Sequence, residues 1–500
     1  MQLLILEKST QSIYVKDKGK KILFIYPDYR DGLMRPQLPV GLGYIARSLE
    51  NAGIEYRVID LNIDSFEDLV RKIEEFCPEY IGVSMMSYRC GKTYELLCAL
   101  KNQFPFITLI AGGPHITVNR EKALEECPAI DIGIVGEGEI SMVEALCGST
   151  ISLVKGALYR EGQEVRYAGD RDFIKNLDEI PFPTYNGFKI ARYSNDMRLA
   201  SSRGCPYQCV FCGAPKILGQ QWRKRSAGGM MEELAYWFEK GYQNFNFNDS
   251  NFAMDRNRVV SFCEEIIKSN MDVQFTVEGL RADHVNKDLL EKMRRAGFVH
   301  LTYGIESGSD NVLRKLRKGA SRQQMESAIA TSTALGYRVA LFFVIGSPGE
   351  RAEDIRQSFQ LALKYPVALA LFFNLTPIPG TEFYKWITAQ GYRDELNGWY
   401  PEENFGFSKQ ALFGTDVMEK DQLTRWIKKA RRLERQIQYR YRLQIRLQHM
   451  TGKTFIVKNS IFNTVAWFLS CNGTKIGMSA LRCMIKIPFA CFVRMAICLK

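Results

Sequence analysis

Three cysteines fall within eight residues, Cys205, Cys209 and Cys212, in the run Ser201-Ser202-Arg203-Gly204-Cys205-Pro206-Tyr207-Gln208-Cys209-Val210-Phe211-Cys212. Gly204 and Pro206 keep this stretch out of regular helix, so the thiols come from one short loop. Structural zinc takes four ligands. No fourth Cys or His lies nearby, and the four histidines stand apart at 115, 284, 300 and 449. Three thiolates from one loop suit three irons of a [4Fe–4S] cube, leaving the fourth iron open to a small molecule that accepts an electron. Three buried structural thiols are the plain alternative. The cluster reading requires reduced thiols, and thirteen cysteines in 500 residues are too sparse for a disulfide scaffold.

A chain of 500 residues exceeds one ordinary core, so two or three domains are expected. With 46% hydrophobic and 24% charged residues the composition is globular. The net charge of +12 is uneven: residues 421–500 hold sixteen Lys and Arg against two acidic residues, while the other 420 hold 51 basic and 53 acidic groups. An anionic partner is therefore sought at the C-terminal end. Met1–Glu7 is apolar but short, and Lys8 follows at once, so a cytoplasmic protein is expected.

From Lys20 the sequence alternates apolar strands with amphipathic helices. Strands are expected at Lys21–Tyr26, Tyr56–Asp60, Tyr80–Ser84, Ile107–Ala111 and Ile132–Val135, with helices at Pro39–Ala52, Phe66–Phe76, Lys92–Gln103 and Glu121–Glu126. Such alternation predicts a parallel sheet covered on both faces, with ligands beyond the carboxyl ends of the strands. The loops there include Ser84, Gly112, Gly113, Gly136, Glu137 and Gly138, and their glycines let backbone approach a large flat ligand. Residues 148–194 read as a linker with a small hairpin (Lys155–Tyr159, Glu164–Tyr167), closed by Pro181-Phe182-Pro183, which resists helix and sheet alike. Strand–helix units resume with strands at Leu199–Ser201, Asn244–Phe247, Gln274–Leu280, His300–Gly304, Arg338–Val344 and Leu369–Leu375. Six units predict an open (β/α)6 barrel with its site at the carboxyl ends of the strands. The expected domains are 1–147, 148–194 as linker, 195–385, and a mainly helical basic extension over 386–500.

Cys-x3-Cys-x2-Cys with Phe211 before the last cysteine resembles the radical S-adenosylmethionine (SAM) superfamily. The first domain resembles the cobalamin-binding domain of the B12-dependent members. The resemblance is carried by Leu38-Pro39-Val40-Gly41-Leu42-Gly43-Tyr44-Ile45-Ala46, Ala111-Gly112-Gly113-Pro114-His115 and Val135-Gly136-Glu137-Gly138-Glu139. Together they imply an α/β chain: a Rossmann-like (flavodoxin-like) cobalamin domain, then the radical SAM barrel. The implied cofactors are a [4Fe–4S] cluster, SAM and cobalamin, with Cys205, Cys209 and Cys212 as cluster ligands. The resemblance further implies that Asn248 and Asp249 meet the SAM amino group. Gly304-Ile305-Glu306-Ser307-Gly308 would meet the ribose and carboxylate. The Val344–Glu350 turn, with Gly346, and the backbone at Phe211 would lie near the adenine, and Arg281 would also contact the cofactor. Better-known cobalamin domains carry Asp-x-His-x-x-Gly after the first strand, whereas this chain reads Asp28-Tyr29-Arg30-Asp31-Gly32. The implied cobalamin is then not ligated by a protein His, and His115 is expected to make a loop contact.

The resemblance implies cobalamin-dependent methylation of an unactivated carbon in a small molecule, with a flavodoxin or ferredoxin as electron donor. Attachment of the basic tail to a membrane surface would suit a lipophilic substrate. A cyclisation or rearrangement in tetrapyrrole, lipid or antibiotic biosynthesis is the alternative. A tRNA-methylthiolating enzyme would need a second cysteine trio, and Cys77, Cys90, Cys98, Cys127 and Cys147 are not gathered into one; nucleic acid is not expected as a partner. Residues 421–449 predict a basic helix that lies on a membrane surface, forms a lid for an anionic substrate or is simply solvated. The apolar stretches 461–470 and 487–499 are each too short to span a bilayer, which takes about 20 helical residues.

Overall fold

The computed structural model describes residues 20–29, 35–392 and 406–451. Apolar Ile22, Leu23, Phe24 and Ile25 are fully or almost fully buried in β1 (Lys21–Tyr26), as a strand covered on both faces requires. Next come β2 (Glu55–Asp60), β3 (Tyr80–Ser84), β4 (Thr108–Gly112) and β5 (Ile132–Ile134), paired in parallel in the order β2-β1-β3-β4-β5. The order reverses between β1 and β3, which opens a crevice at their carboxyl ends.

The hairpin expected in the linker belongs to this sheet. β6 (Ala157–Glu161) pairs antiparallel with β5, and β7 (Glu164–Tyr167) pairs with β6. Both fall beyond residue 147, where the first domain was expected to end, so its sheet runs on to Tyr167. The physical reason is the exposed edge of β5, whose backbone groups need partners.

The second sheet holds β8 (Met197–Leu199), β11 (Asn244–Phe247), β12 (Gln274–Leu280), β13 (Phe298–Glu306), β14 (Arg338–Ile345) and β15 (Leu369–Asn374). All neighbours are parallel and in chain order, and β8 and β15 are its two ends, so the barrel is open as predicted. A stack of Phe245, Phe247, Phe252, Phe262, Phe275 and Phe298 fills the space between strands and covering helices. One element was not foreseen: an antiparallel ribbon of β9 (Ser202–Arg203) and β10 (Arg223–Lys224). At its start Asp249 accepts from the Ser201 N–H at 2.7 Å and the Ser202 hydroxyl at 2.8 Å.

The helix Lys420–Thr451 is built where a basic helix was predicted, and it covers the barrel's open end. Leu423, Ile427, Ala430, Leu433 and Ile437 recur at helical spacing and join the barrel core. Glu434 accepts from the β15 N–H of Phe372 at 2.8 Å, and Arg440 donates to the carbonyls of Leu363 and Tyr365. No helix among the described residues is long and apolar enough to cross a membrane. The stretches 461–470 and 487–499 lie outside the described residues.

Candidate active site between the cluster loop and the first domain

The cluster loop is held from every side. Gly204 has φ of +86°, and a Cβ there would sit 2.1 Å from the Gln221 carbonyl oxygen, so only glycine fits. Cys205 N–H donates to Gly219 O at 3.1 Å, Val210 N–H to Leu316 O at 3.1 Å, and Phe383 N–H to Val210 O at 2.9 Å. The Tyr207 ring lies 3.7 Å beneath the Arg281 guanidinium, and its hydroxyl bonds His284 Nε2 at 2.6 Å. Arg281 is in turn fixed by Asp283 at 2.8 Å and Lys318 O at 2.7 Å. These contacts clamp Arg281 to the loop.

Burial pushes the Cys209 and Cys212 thiols up, Cys212 to about 11, while the Lys318 and Arg281 charges work against this at Cys209. Cys205 and Cys209 rank among the electrostatic neighbours of Cys212, so the three sulfurs share one locale. Among the described residues no three His, Cys, Asp or Glu close on a single ion. A cube takes each thiolate on a different iron, which is what three cysteines from one loop can supply.

The predicted SAM residues divide. Asn248 lines a cavity, whereas its neighbour Asp249 is buried beneath it, its carboxyl raised by burial and held by Ser201, Ser202 and Arg258. Glu306, in a left-handed conformation with φ of +66°, pairs with Lys318 at 2.9 Å. Ser307 is fully buried against Ser358. Gly346 has φ of +100° and donates its N–H to Glu350 at 2.8 Å. In that turn Glu350 Oε1 and Ser347 Oγ are buried without a partner, which is how a turn awaiting a polar ligand looks. Phe211 packs against the cluster of Val312, Leu316 and Val344.

The cavity has a volume of about 880 Å³ and lies between the two sheets. Ser84, Gly112, Gly113, Gly136, Glu137 and Gly138 border it from the first domain, and Cys212, Asn248 and Ser250 from the barrel. A Cβ on Gly136 would project into open space. A wide, mainly apolar space with glycine backbone for a wall fits a large flat macrocycle. His115 is not among its lining residues: it is fully buried, with Tyr94 on Nε2 at 2.7 Å and Ser87 on Nδ1 at 3.1 Å, and burial pushes its pKa down to about 4. The expected loop contact is what forms. Arg30, Asp31 and Gly32 of the loop after β1 lie outside the described residues; Tyr29 donates to Ser84 O at 3.0 Å across the crevice.

Several residues of the site went unread in the sequence. Arg203 bonds Glu137 at 2.9 Å and Glu139 at 2.6 Å, and Arg223 bonds Glu137 at 2.8 Å. Burial opposes the Arg203 charge, but Glu139 and Glu137 outweigh it and raise its pKa. Arg203 adjoins the cysteine motif and Glu139 closes the glycine phrase, so both carried a signal. Tyr207 lies inside the cysteine motif and so carried one too, whereas Arg223 and Lys318 carried none.

Residues 36–146 match the family model described as the B12 binding domain, and residues 199–362 match the Radical SAM superfamily. The chain is 30% identical over 395 residues to an uncharacterized methyltransferase of Pyrococcus horikoshii, covering 76% of this chain and 86% of that protein. It is 26% identical to the anaerobic magnesium-protoporphyrin IX monomethyl ester cyclase of Cereibacter sphaeroides, covering 81% and 68%. In fold it resembles the radical S-adenosylmethionine methyltransferase TsrM from Kitasatospora setae, solved with cobalamin and a [4Fe–4S] cluster. That likeness has a TM-score of 0.64 at 16% identity, over 74% and 75% of the two chains. With the cysteine trio, the open barrel and the glycine-walled crevice in place, these matches establish that the chain belongs to the radical SAM enzymes that carry a B12-binding domain.

Proposed function

We propose that the protein transfers a methyl group to an unactivated carbon of a small organic molecule. The observation that carries this is the shared cavity, bordered at once by Cys212 and by the loops after β3, β4 and β5. When bound, the cluster and SAM supply a hydrogen-abstracting radical, and cobalamin supplies the methyl group.

The chain's own residues hold, orient and exclude. Cys205, Cys209 and Cys212 hold the cluster, with Arg281 and Lys318 as compensating cations. Asn248, the Glu306–Ser307 backbone, Gly346 and the backbone at Phe211 receive SAM. Asp249 acts from beneath, fixing the turn that aims the loop. Ser84, Gly112, Gly113, Gly136 and Gly138 would receive cobalamin, and no histidine is among the described residues that line the cavity. The largely apolar cavity suits a lipophilic substrate and keeps water from a reactive radical. Electrons come from a small flavin or iron–sulfur carrier in this scheme. Ring closure, as the name of the Cereibacter relative indicates, is the second reading, since it uses the same cavity.

The test is anaerobic reconstitution with iron, sulfide and hydroxocobalamin, then incubation with methyl-labelled SAM and an extract of small molecules. Mass analysis should find one labelled methyl on a carbon of the product. A product that gains no label but loses hydrogens favours ring closure. A Cys205/Cys209/Cys212→Ala variant that still cleaves SAM would end the radical SAM reading.

A further inference from the structure

Arg203 and Arg223 face each other across the β9–β10 ribbon, and Arg203 stands two residues before Cys205. Their acidic partners come from the other domain. Glu137 Oε1 takes both arginines, Glu139 takes Arg203, and Glu137 Oε2 also accepts the Ile174 N–H at 2.8 Å. The four side chains are only 11%, 2%, 8% and 9% exposed for Arg203, Arg223, Glu137 and Glu139, so salt screens this network little. Tyr44, from the helix Val40–Ala52, adds its ring 4.9 Å from the Arg203 guanidinium. Two acids meet two cations, so removing one charge leaves a buried arginine uncompensated.

Glu137 lies between Gly136 and Gly138, on the wall of the cavity, and the ribbon it grips leads directly into the cluster loop. We propose that Glu137 and Glu139 are positioning residues: acting through Arg203 and Arg223, they set the separation between the first domain's ligand wall and the cluster loop. Chemistry shared between groups on two domains is lost when they are misplaced by about 1 Å. The proposal rests on the cobalamin reading above, and its test keeps the two apart.

The probes are cob(II)alamin, formed from added hydroxocobalamin, and the reduced cluster, both paramagnetic. Visible absorption and iron analysis first establish that each is bound. Pulsed dipolar spectroscopy then gives the distance distribution between them in the full chain. The Glu137→Gln/Glu139→Gln variant keeps both cofactors but broadens that distribution about twofold or more, because the arginines lose their charged anchors. Glu137→Asp/Glu139→Asp, which keeps the charges, stays close to the wild-type width. An amide variant of wild-type width overturns the proposal, and so does an aspartate variant as broad as the amide one. Protein that takes up no cobalamin refutes the cobalamin reading instead. The positioning role is then judged on the cluster-loaded chain by hydrogen exchange of residues 202–204 and 219–224. Exchange there rises about tenfold or more in the amide variant if the clamp holds the ribbon, and unchanged protection overturns it.

Discussion

Burial pushes the Glu350 carboxyl up to about 8, against the opposing pull of the Gly346 and Ser347 N–H groups. The folded state therefore holds a proton that the unfolded chain has lost above its ordinary value of 4.5. Between these values the native state binds more protons, so stability falls as pH rises from about 5 to 8 and levels off above. Glu350→Gln keeps an acceptor for both N–H groups and removes the ionisation. Thermal melts should show a shallower decline over that range in the variant than in wild type. Equal slopes would show that Glu350 ionises freely in the fold. At the same scale, Asp249 shows how one carboxylate near a cofactor site serves the backbone: it ties Ser201 and Ser202 and so starts the ribbon.

Among elements, the β9–β10 ribbon matters most to the cluster, because two strands of two residues each are too short to hold themselves. Its order comes from Asp249 on one side, Glu137 and Glu139 on another, and the close backbone pass at Gly204. Alanine at 204 adds left-handed strain of about 1 kcal/mol to a steric overlap with Gln221 O that only backbone movement relieves. Reconstituted Gly204→Ala should fold with its helices intact yet hold well under half the wild-type iron and sulfide. Full cluster content would mean the ribbon parts without disturbing the cysteines.

For the whole molecule, the helix Lys420–Thr451 closes what six strands leave open. Its buried Leu423, Ile427, Leu433 and Ile437 are each worth about 1.5–3 kcal/mol of burial. Their sum approaches the whole stability of an ordinary domain, about 5–15 kcal/mol. A chain ended after Thr451 should therefore melt cooperatively near the full-length protein, and one ended after residue 392 should be insoluble, its β15 edge bare. Soluble, cooperative folding of the shorter chain would show that the helix merely rests on the barrel. Peripheral attachment to acidic lipid, expected from the basic end of the chain, is properly tested with the truncation at Thr451, since that one keeps the barrel covered.

By itself the sequence determined what repeats locally. The two strand–helix series emerged because buried parallel strands are continuous apolar runs, and the cysteine trio because cluster ligands from one loop must be close in sequence. Only the tertiary structure decided where the charges went. Asp249 was read as meeting SAM, yet its nearest donors are Ser201 and Ser202, some fifty residues earlier in the chain. Glu137 was read as a cofactor contact, yet its carboxylate meets Arg203 and Arg223 across the domain boundary. The C-terminal helix was read through its arginines, and its apolar stripe told only once β15 supplied an edge to cover. A hydrophobic period reports a neighbour one turn or one strand away, but a buried carboxylate's partner is chosen by which distant segment the fold brings within hydrogen-bond reach.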